Sequence, residues 1–147
     1  MRPESRGSLR IRSADPAAPP EIRINYLSTE VDRTVNIEGL KILRKILQAP
    51  ALRSYVVEEV DPGAKVSSDE ALLNYCRGRG STIYHPTSTC RMGSDPLAVV
   101  DHRLRVCGLE GLRVVDASVM PDLVSGNTNA AVIMIAEKAS DMILQDR

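Results

Sequence analysis

The sequence predicts an α+β fold in which an antiparallel sheet is covered by helices. Two segments near the N-terminus, residues 8–12 and 22–26, alternate apolar and polar side chains, which is typical of half-buried strands. Between residues 31 and 47, and again between 128 and 144, apolar side chains recur at helical spacing. The length of 147 residues is enough for an ordinary domain with a hydrophobic core.

The predicted sheet begins with the two alternating segments. Residues 13–20 between them contain three prolines, which interrupt strand pairing and predict a loop. Consecutive strands with this alternation favour antiparallel pairing with one face in solvent. Further short strands are predicted at residues 81–84, 98–100, 104–106 and 112–115.

The first predicted helix starts at Val31 and ends before Pro50. Its predicted core face consists of apolar residues at helical spacing: Val31, Val35, Leu40, Leu43 and Leu47, with Ile42 and Ile46 beside them. The basic side chains on the remaining face are Lys41, Arg44 and Lys45. We expect that face to be solvated rather than to bind a ligand.

Two further helices are predicted. Residues 67–70 have the spacing of a capping box, which predicts a helix that begins there and ends near Arg77, before Gly78 and Gly80. The last helix is predicted from about Thr128 to Leu144. Its first half, residues 130–136, is apolar nearly all round, so we expect it to be buried on most sides.

Composition excludes several classes of protein. The chain has 19 basic and 19 acidic residues, four Tyr, and no Phe or Trp, which argues against nucleic-acid binding. Its longest apolar run has seven residues, whereas a membrane span needs about 20. The charged N-terminal segment lacks the apolar region of a secretory signal. Three cysteines without C-x-x-C spacing favour a reducing compartment, so we expect a cytoplasmic protein.

Two polar clusters are candidate functional sites. His85 ends a predicted strand and precedes Pro86, a setting that can aim an imidazole, although these features alone favour a structural histidine. Residues 125–129 precede the last helix, where they predict an N-cap. The amides of such a helix terminus can also receive an anion or an electron-rich ring. His102, in a turn, is expected on the surface.

Four sequence blocks indicate a family. They are residues 24–27 (INYL), 84–93 (YHPTSTCRMG), 112–121 (LRVVDASVMP) and 126–138 (GNTNAAVIMIAEK). With these blocks in this order, almost the whole chain from Pro3 onward resembles the C-terminal part of the glucose–methanol–choline (GMC) oxidoreductases, which are flavoenzymes that oxidise alcohols. The amino-acid sequence of these blocks is most similar to that of choline-dehydrogenase-like members. One departure is Ser88, where many relatives have Gly.

The resemblance implies roles for specific residues. His85 matches the family's active-site histidine, which we expect to take the hydroxyl proton of a small-molecule alcohol while hydride passes to the flavin. Asn127 matches the second active-site polar residue, expected to donate a hydrogen bond to the developing oxyanion. The implied cofactor is FAD, and its expected contacts are Asp116, Ala117, Asn127, Thr128 and Asn129. No metal is implied.

The resemblance also implies a division of the chain. Residues 1–96 correspond to a substrate-binding-domain segment that includes the His85 loop, and residues 97–147 to a strand and helix that complete the flavin-binding domain. The G-x-G-x-x-G motif of an N-terminal dinucleotide-binding domain is absent from the sequence. We therefore expect that this chain alone neither binds FAD tightly nor oxidises alcohols. It would then be an inactive remnant, a module that docks to a separate flavin-binding chain, or a self-associating fragment.

Two other chemistries use the same residues. A zinc site would combine Cys76, His85, Cys90, His102 and Cys107, but their spacings match no established zinc motif. A Cys90 nucleophile activated by His85 is possible on residue types alone, yet nothing in the sequence marks an oxyanion hole. The sequence favours Cys90 as a packed small residue.

Overall fold

The computed structural model describes residues 2–146. Contacts divide them into two compact units. The helical unit comprises Pro3–Gly7 and Ile22–Thr82, and the C-terminal unit comprises Ser8–Glu21 and the chain from Ile83 onward, with Arg2. A two-stranded sheet and several helices confirm the α+β class in its coarse form.

The sheet is smaller than the sequence predicts. Strands β1 (Ser8–Arg10) and β2 (Glu21–Arg23) pair with each other, and each has only three residues. The apolar side chains of Leu9 and Ile22 are both exposed. The prediction of two strands is confirmed, whereas the prediction that they are half-buried is wrong, because all their residues except the partly buried Glu21 are exposed.

The helical unit contains α1 (Glu30–Leu47), a four-residue α2 (Pro50–Arg53) and α3 (Asp69–Arg79), and α1 packs against α3. Both long helices begin at a hydroxyl N-cap, Thr29 for α1 and Ser68 for α3. The α3 cap is one residue later than the predicted capping box. The short α2 was not predicted.

The predicted core face of α1 is wrong in most positions. The buried residues of this helix are Asp32 and Ile37, and the apolar side chains that remain exposed are Val31, Val35, Ile42, Leu43, Ile46 and Leu47. Periodicity identifies which side of the helix is apolar, but burial also requires a partner, and α3 covers only part of that side. The basic face is also not simply solvated, since Lys41 pairs with Asp69 at 2.7 Å and Arg44 pairs with Glu59 at 2.7 Å.

Asp32 anchors the N-terminal segment to α1. Its carboxylate accepts the backbone amides of Glu4 at 2.9 Å and Ser5 at 2.7 Å. Burial alone would raise the pKa of this carboxyl, but hydrogen bonds from Ser5, Glu4 and Thr29 outweigh burial and lower it. A buried acid, rather than an apolar residue, therefore organises the start of this unit.

The C-terminal unit has its own hydrophobic core. It consists of Val100, Leu104, Val119, Met120, Ile135 and Ala139. The last two residues belong to α4 (Asn129–Gln145), whose predicted bounds are confirmed within one residue. The prediction that α4 is buried on most sides is wrong for this chain, because Ile133 and Met134 are 54% and 60% exposed.

The strands predicted between residues 81 and 115 do not form. Residues 81–84 are irregular, and the later segments make only isolated bridges, such as Val100 with Val106 and Arg105 with Arg113. The backbone turns through positive φ at Leu104, Gly108 and Gly111, so pairing ends after a single bridge. None of the helices in residues 2–146 is long and apolar enough to cross a membrane.

Ion pairs anchor the C-terminal end of α4. The carboxylate of Asp146 accepts Arg113 and also Arg103, the latter at 2.7 Å, and Arg103 additionally donates to the carbonyl oxygen of Met142. Arg113, followed by Arg103, lowers the pKa of the Asp146 carboxyl. These contacts join the last turn of α4 to Arg103 and Arg113.

Candidate active site

The loop that follows His85 lies along the 3₁₀ helix Ala117–Val119 in the same unit. The amides of Cys90 and Met92 donate to the carbonyl oxygens of Ser118 and Val119, at 3.0 and 2.8 Å. A longer contact of 3.5 Å joins the Ser88 amide to the Ala117 oxygen. These bonds hold the His85 loop against a segment whose residues the resemblance assigns to the flavin nucleotide.

The side chain of His85 contacts the start of α4. Its Nδ1 atom lies 3.1 Å from Oγ1 of Thr128, a hydrogen bond between residues 43 positions apart. His85 is half-buried, and Thr128 is only 8% exposed. Within the described residues, Nε2 of His85 makes no hydrogen bond to the protein. The sequence analysis did not predict this contact; a hydroxyl at an N-cap position suggested only a cap.

The polar residues around Thr128 are solvent-accessible. Asn127 and Asn129 are both exposed, and the structure shows no hydrogen bond between Asn127 and His85 among residues 2–146. Asn127 is nevertheless adjacent in sequence to the residue that contacts the imidazole. The first backbone amides of a helix have no intrahelical partner, so α4 presents free N–H donors here. An added Cβ at Gly126 would meet no atom within 4 Å, so the space beside this terminus is open.

Asp116 and Ala117 belong to the segment to which the His85 loop is hydrogen-bonded. The Asp116 carboxylate accepts the Ser118 amide at 2.7 Å and so caps the 3₁₀ helix. Asp116 is exposed and Ala117 is half-buried. Hydrogen bonds therefore join the His85 loop both to Thr128 and to the segment that contains Asp116 and Ala117.

Backbone conformation is strained on both sides of His85. Tyr84 and Ser88 have φ values of +61° and +70°, a region that favours glycine. The value at Ser88 explains why glycine suits this position, where the sequence departs from many relatives. The value at Tyr84 also explains why residues 81–84 do not continue as a strand into the loop.

A salt bridge closes the far end of the loop. Arg91 donates to both carboxylate oxygens of Asp95, at 2.8 and 2.6 Å. Arg91, followed by the Leu97 amide, lowers the pKa of Asp95 to about 2. Gly93 lies inside this bridge, and an added Cβ would come within 3.0 Å of Asp95 Oδ2. Sequence analysis did not identify this pair, because a four-residue spacing indicates contact only on a helix and residues 91–95 are not helical.

The alternative chemistries find little support in the geometry. No group of three or more His, Cys, Asp or Glu residues in the described part of the chain could hold a metal ion. The three cysteines are free thiols, and burial raises the pKa of Cys76. The recorded partner of the His85 ring is Thr128, and the backbone of Cys90 bonds Ser118, so residues 2–146 show no Cys90–His85 hydrogen bond. His102 is exposed, as predicted.

Comparison with known sequences identifies the family. A sequence model described as GMC oxidoreductase matches residues 3–136. The chain belongs to the GMC oxidoreductase family. Over 143 residues it is 50% identical to an alcohol dehydrogenase (acceptor) of Pseudomonas putida, and 49% identical to an oxygen-dependent choline dehydrogenase of Pseudomonas savastanoi pv. phaseolicola. Each match covers 97% of this chain, and 26% and 25% of the two relatives.

The resemblance predicted from the four sequence blocks is thereby confirmed, including the similarity to choline dehydrogenases. The chain corresponds to the C-terminal part of a GMC oxidoreductase and spans about a quarter of the length of the curated relatives it matches.

Two solved structures have the same fold as this chain over nearly its whole length. A pyridoxine 4-oxidase from Mesorbium loti superposes with a TM-score of 0.87 at 39% identity, covering 95% of this chain and 27% of that one. An FAD-dependent oxidoreductase from Chaetomium thermophilum superposes with a TM-score of 0.91 at 31% identity, covering 99% and 26%. The chain therefore has the fold of the corresponding part of these two enzymes.

Proposed function

We propose that this chain forms the C-terminal part of the active site of an FAD-dependent oxidoreductase that oxidises the CH–OH group of a small-molecule alcohol. The proposal is supported by relatives at 49–50% identity that are named alcohol and choline dehydrogenases. The observation on which it mainly depends is the hydrogen bond from His85 to Thr128, at 3.1 Å. That bond joins the imidazole to the helix terminus beside which a flavin ring would lie.

The residues at this terminus suit an electron-rich ring. Free amides at the start of α4 and exposed carboxamides of Asn127 and Asn129 are hydrogen-bond donors, and open space lies beside Gly126. The residues that would hold FAD are Asp116, Ala117, Asn127, Thr128 and Asn129. When bound, FAD supplies the electron acceptor for the alcohol carbon.

His85 would remove the hydroxyl proton of the substrate. Its Nδ1 is hydrogen-bonded to Thr128, and when Nδ1–H is the donor of that bond, Nε2 carries the lone pair for proton transfer. Histidine is the side chain that most often acts as a general base in enzymes. Removing the proton gives the substrate oxygen the negative charge that favours oxidation of its carbon.

Asn127 would stabilise that oxygen. Its exposed carboxamide precedes the residue bonded to His85, so a substrate beside the imidazole would be within reach of an amide donor. Removal of one such donor costs roughly 2.7–4 kcal/mol of transition-state stabilisation in comparable enzymes. In this proposal residues 1–96 contribute the substrate-binding segment and residues 97–147 complete the flavin-binding domain.

A second candidate function is a docking module without activity of its own. It is favoured by the exposure of the apolar side chains of Ile133 and Met134 on α4. In that case the chain would contribute packing to a flavin-binding polypeptide while the chemistry used other residues.

The two candidates differ in their response to substitution of His85. The chain should be assembled with the flavin-binding portion of a GMC relative, and turnover should be measured for His85→Asn with His102→Asn as the control. The enzyme proposal expects kcat to fall by roughly 10²–10⁴-fold for His85→Asn alone. Equal turnover in both variants, with FAD bound, would favour the docking module.

A further inference from the structure

We propose that Thr128 is a positioning residue that selects the tautomer of His85. In this arrangement Nδ1–H of His85 donates to Oγ1 of Thr128, so the lone pair of Nε2 is free to accept a proton. The inference rests on the proposed function, in which His85 is the base, and it assigns a task to Thr128 that differs from contact with the cofactor.

The first support is the unusual conformation of Thr128 as an N-cap. Thr29 and Ser68 begin α1 and α3 with extended backbone, and their hydroxyls accept helix amides at 3.3 and 3.2 Å. Thr128 begins α4 with φ −77° and ψ −16°, which is helical, and its side chain makes no cap hydrogen bond. Its hydroxyl instead lies 3.1 Å from the His85 ring.

The second support is that the backbone on both sides of His85 is already restricted. The loop after His85 is bonded to Ser118 and Val119, and the adjacent residue Tyr84 is held at φ +61°. The orientation of the ring is then the main remaining variable. A β-branched residue that is 8% exposed has a restricted χ1, so Thr128 offers a fixed partner for Nδ1.

The chemical consequence follows from the two ring nitrogens. A neutral imidazole carries one N–H and one lone pair, and only the nitrogen with the lone pair can act as a base. Histidine in water favours the tautomer protonated at Nε2, which would place the lone pair on Nδ1, facing Thr128. A base at Nε2 therefore needs a partner that accepts from Nδ1–H, and the Thr128 hydroxyl, whose oxygen can accept, lies at hydrogen-bond distance from Nδ1.

The tautomer can be measured on this chain without flavin. The sequence has two histidines, His85 and the exposed His102, so imidazole ¹⁵N labelling gives two ring systems and His102→Gln leaves one. At a pH where both rings are neutral, two-bond ¹⁵N–¹H correlation spectra should show His85 protonated at Nδ1. His102 should show the tautomer preferred in water.

Variants of Thr128 test whether its hydroxyl sets the tautomer of His85. Thr128→Val, which keeps the shape and removes the hydroxyl, should shift His85 to the tautomer that His102 shows. Thr128→Ser should retain protonation at Nδ1. Thr89→Val, in an exposed position of the same loop, should change nothing. Dispersed amide signals in each variant establish that it is folded.

The outcomes separate this inference from the proposed function. A wild-type His85 protonated mainly at Nε2, or a folded Thr128→Val with unchanged ring signals, would overturn the role of Thr128. The proposed function fails by a different result, namely normal turnover of His85→Asn in the assembled flavoenzyme. In that enzyme we expect Thr128→Val to lower kcat about 10–100-fold with KM nearly unchanged, as for other hydrogen bonds that fix a functional histidine.

Discussion

Oγ1 of Thr128 lies 3.1 Å from Nδ1 of His85, and this contact joins two sequence blocks that are separated by more than forty residues. One block is a loop bonded to the 3₁₀ helix at Ala117–Val119, and the other is the start of a helix whose far end is anchored by Asp146. The candidate active site is therefore held at its edges by contacts within the C-terminal unit. Several consequences can be measured.

Substitution of Ser88 should report the strain beside His85. At φ +70° a residue with a side chain costs about 1–2 kcal/mol relative to the usual helical region. Ser88→Gly relieves that strain but loses the hydroxyl contact with Thr87, so we expect the free energy of unfolding to change by less than about 1 kcal/mol. Ser88→Val should lower it by at least about 1 kcal/mol, because β-branched residues suit positive φ poorly.

Urea denaturation measures both effects, with Thr89→Val as the control in the same loop. A Ser88→Val variant as stable as the wild type would show that the positive φ at this position is not maintained in solution.

Asp32→Asn should destabilise the helical unit. The carboxylate accepts two backbone amides, and an asparagine amide group would oppose one of them, so we expect a loss of about 1.5–3 kcal/mol in the free energy of unfolding. Glu30→Gln, an exposed acid in the same helical turn, is the matched control and should change little.

The contribution of Asp32 should also depend on pH. The pKa of its carboxyl is lower in the folded chain than in the unfolded chain, where an ordinary Asp titrates at about 3.9. The stabilisation is then complete above that value and is lost as pH falls through the folded-state pKa. The stability difference between wild type and Asp32→Asn should therefore shrink below about pH 4, and a constant difference down to pH 2 would contradict this assignment.

The Arg91–Asp95 bridge should be visible in a direct titration. The carboxyl ¹³C signal of Asp95 should report a pKa of about 2 in the wild type. Arg91→Gln should return this pKa toward the ordinary value, because Arg91 is the largest cause of the lowering. An unchanged Asp95 pKa in that variant would show that the bridge does not persist in solution.

Gly7 should not tolerate a side chain. A Cβ at this position would lie 2.1 Å from the carbonyl oxygen of Arg23 and 2.7 Å from that of Ile24. Gly7→Ala should therefore cost about 1–3 kcal/mol through forced movement of the backbone. Gly39→Ala is the matched control, since it has open space inside α1 and should gain about 0.5–1 kcal/mol. Equal stabilities of the two variants would contradict the close approach at Gly7.

The chain alone should bind FAD weakly. It spans about a quarter of its curated relatives, and donors exposed to water on one side of a ring hold it poorly. We expect FAD and the purified 147-residue chain to separate on gel filtration. Co-elution near one flavin per chain would contradict this expectation.

Local sequence signals predicted some elements well and others poorly. The bounds of α4 follow from its apolar spacing, and the capping box predicted for α3 lies one residue before the observed cap at Ser68. The strands predicted after residue 97 do not form. The positive φ at Leu104, which interrupts strand pairing, has no signature in the alternation of apolar and polar residues. The burial of apolar side chains on α1 and α4 was predicted wrongly, because periodicity identifies an apolar face but not whether another element covers it.

The site was predicted by family resemblance more than by physical pattern. His85 and Asn127 were chosen because they match family positions, and their separation along the chain has no local signature. The bond from His85 to Thr128 was missed because a threonine before a helix predicts an N-cap, and only the folded backbone reveals that this hydroxyl turns away from the helix amides.

The most direct test of the proposed chemistry is the rate of flavin reduction in a single turnover. The chain, assembled with a GMC flavin-binding portion and mixed anaerobically with excess alcohol, should bleach the flavin at least about 100-fold more slowly in His85→Ala than in His102→Ala. Equal bleaching rates in the two variants, with equal flavin content, would contradict the assignment of His85 as the base.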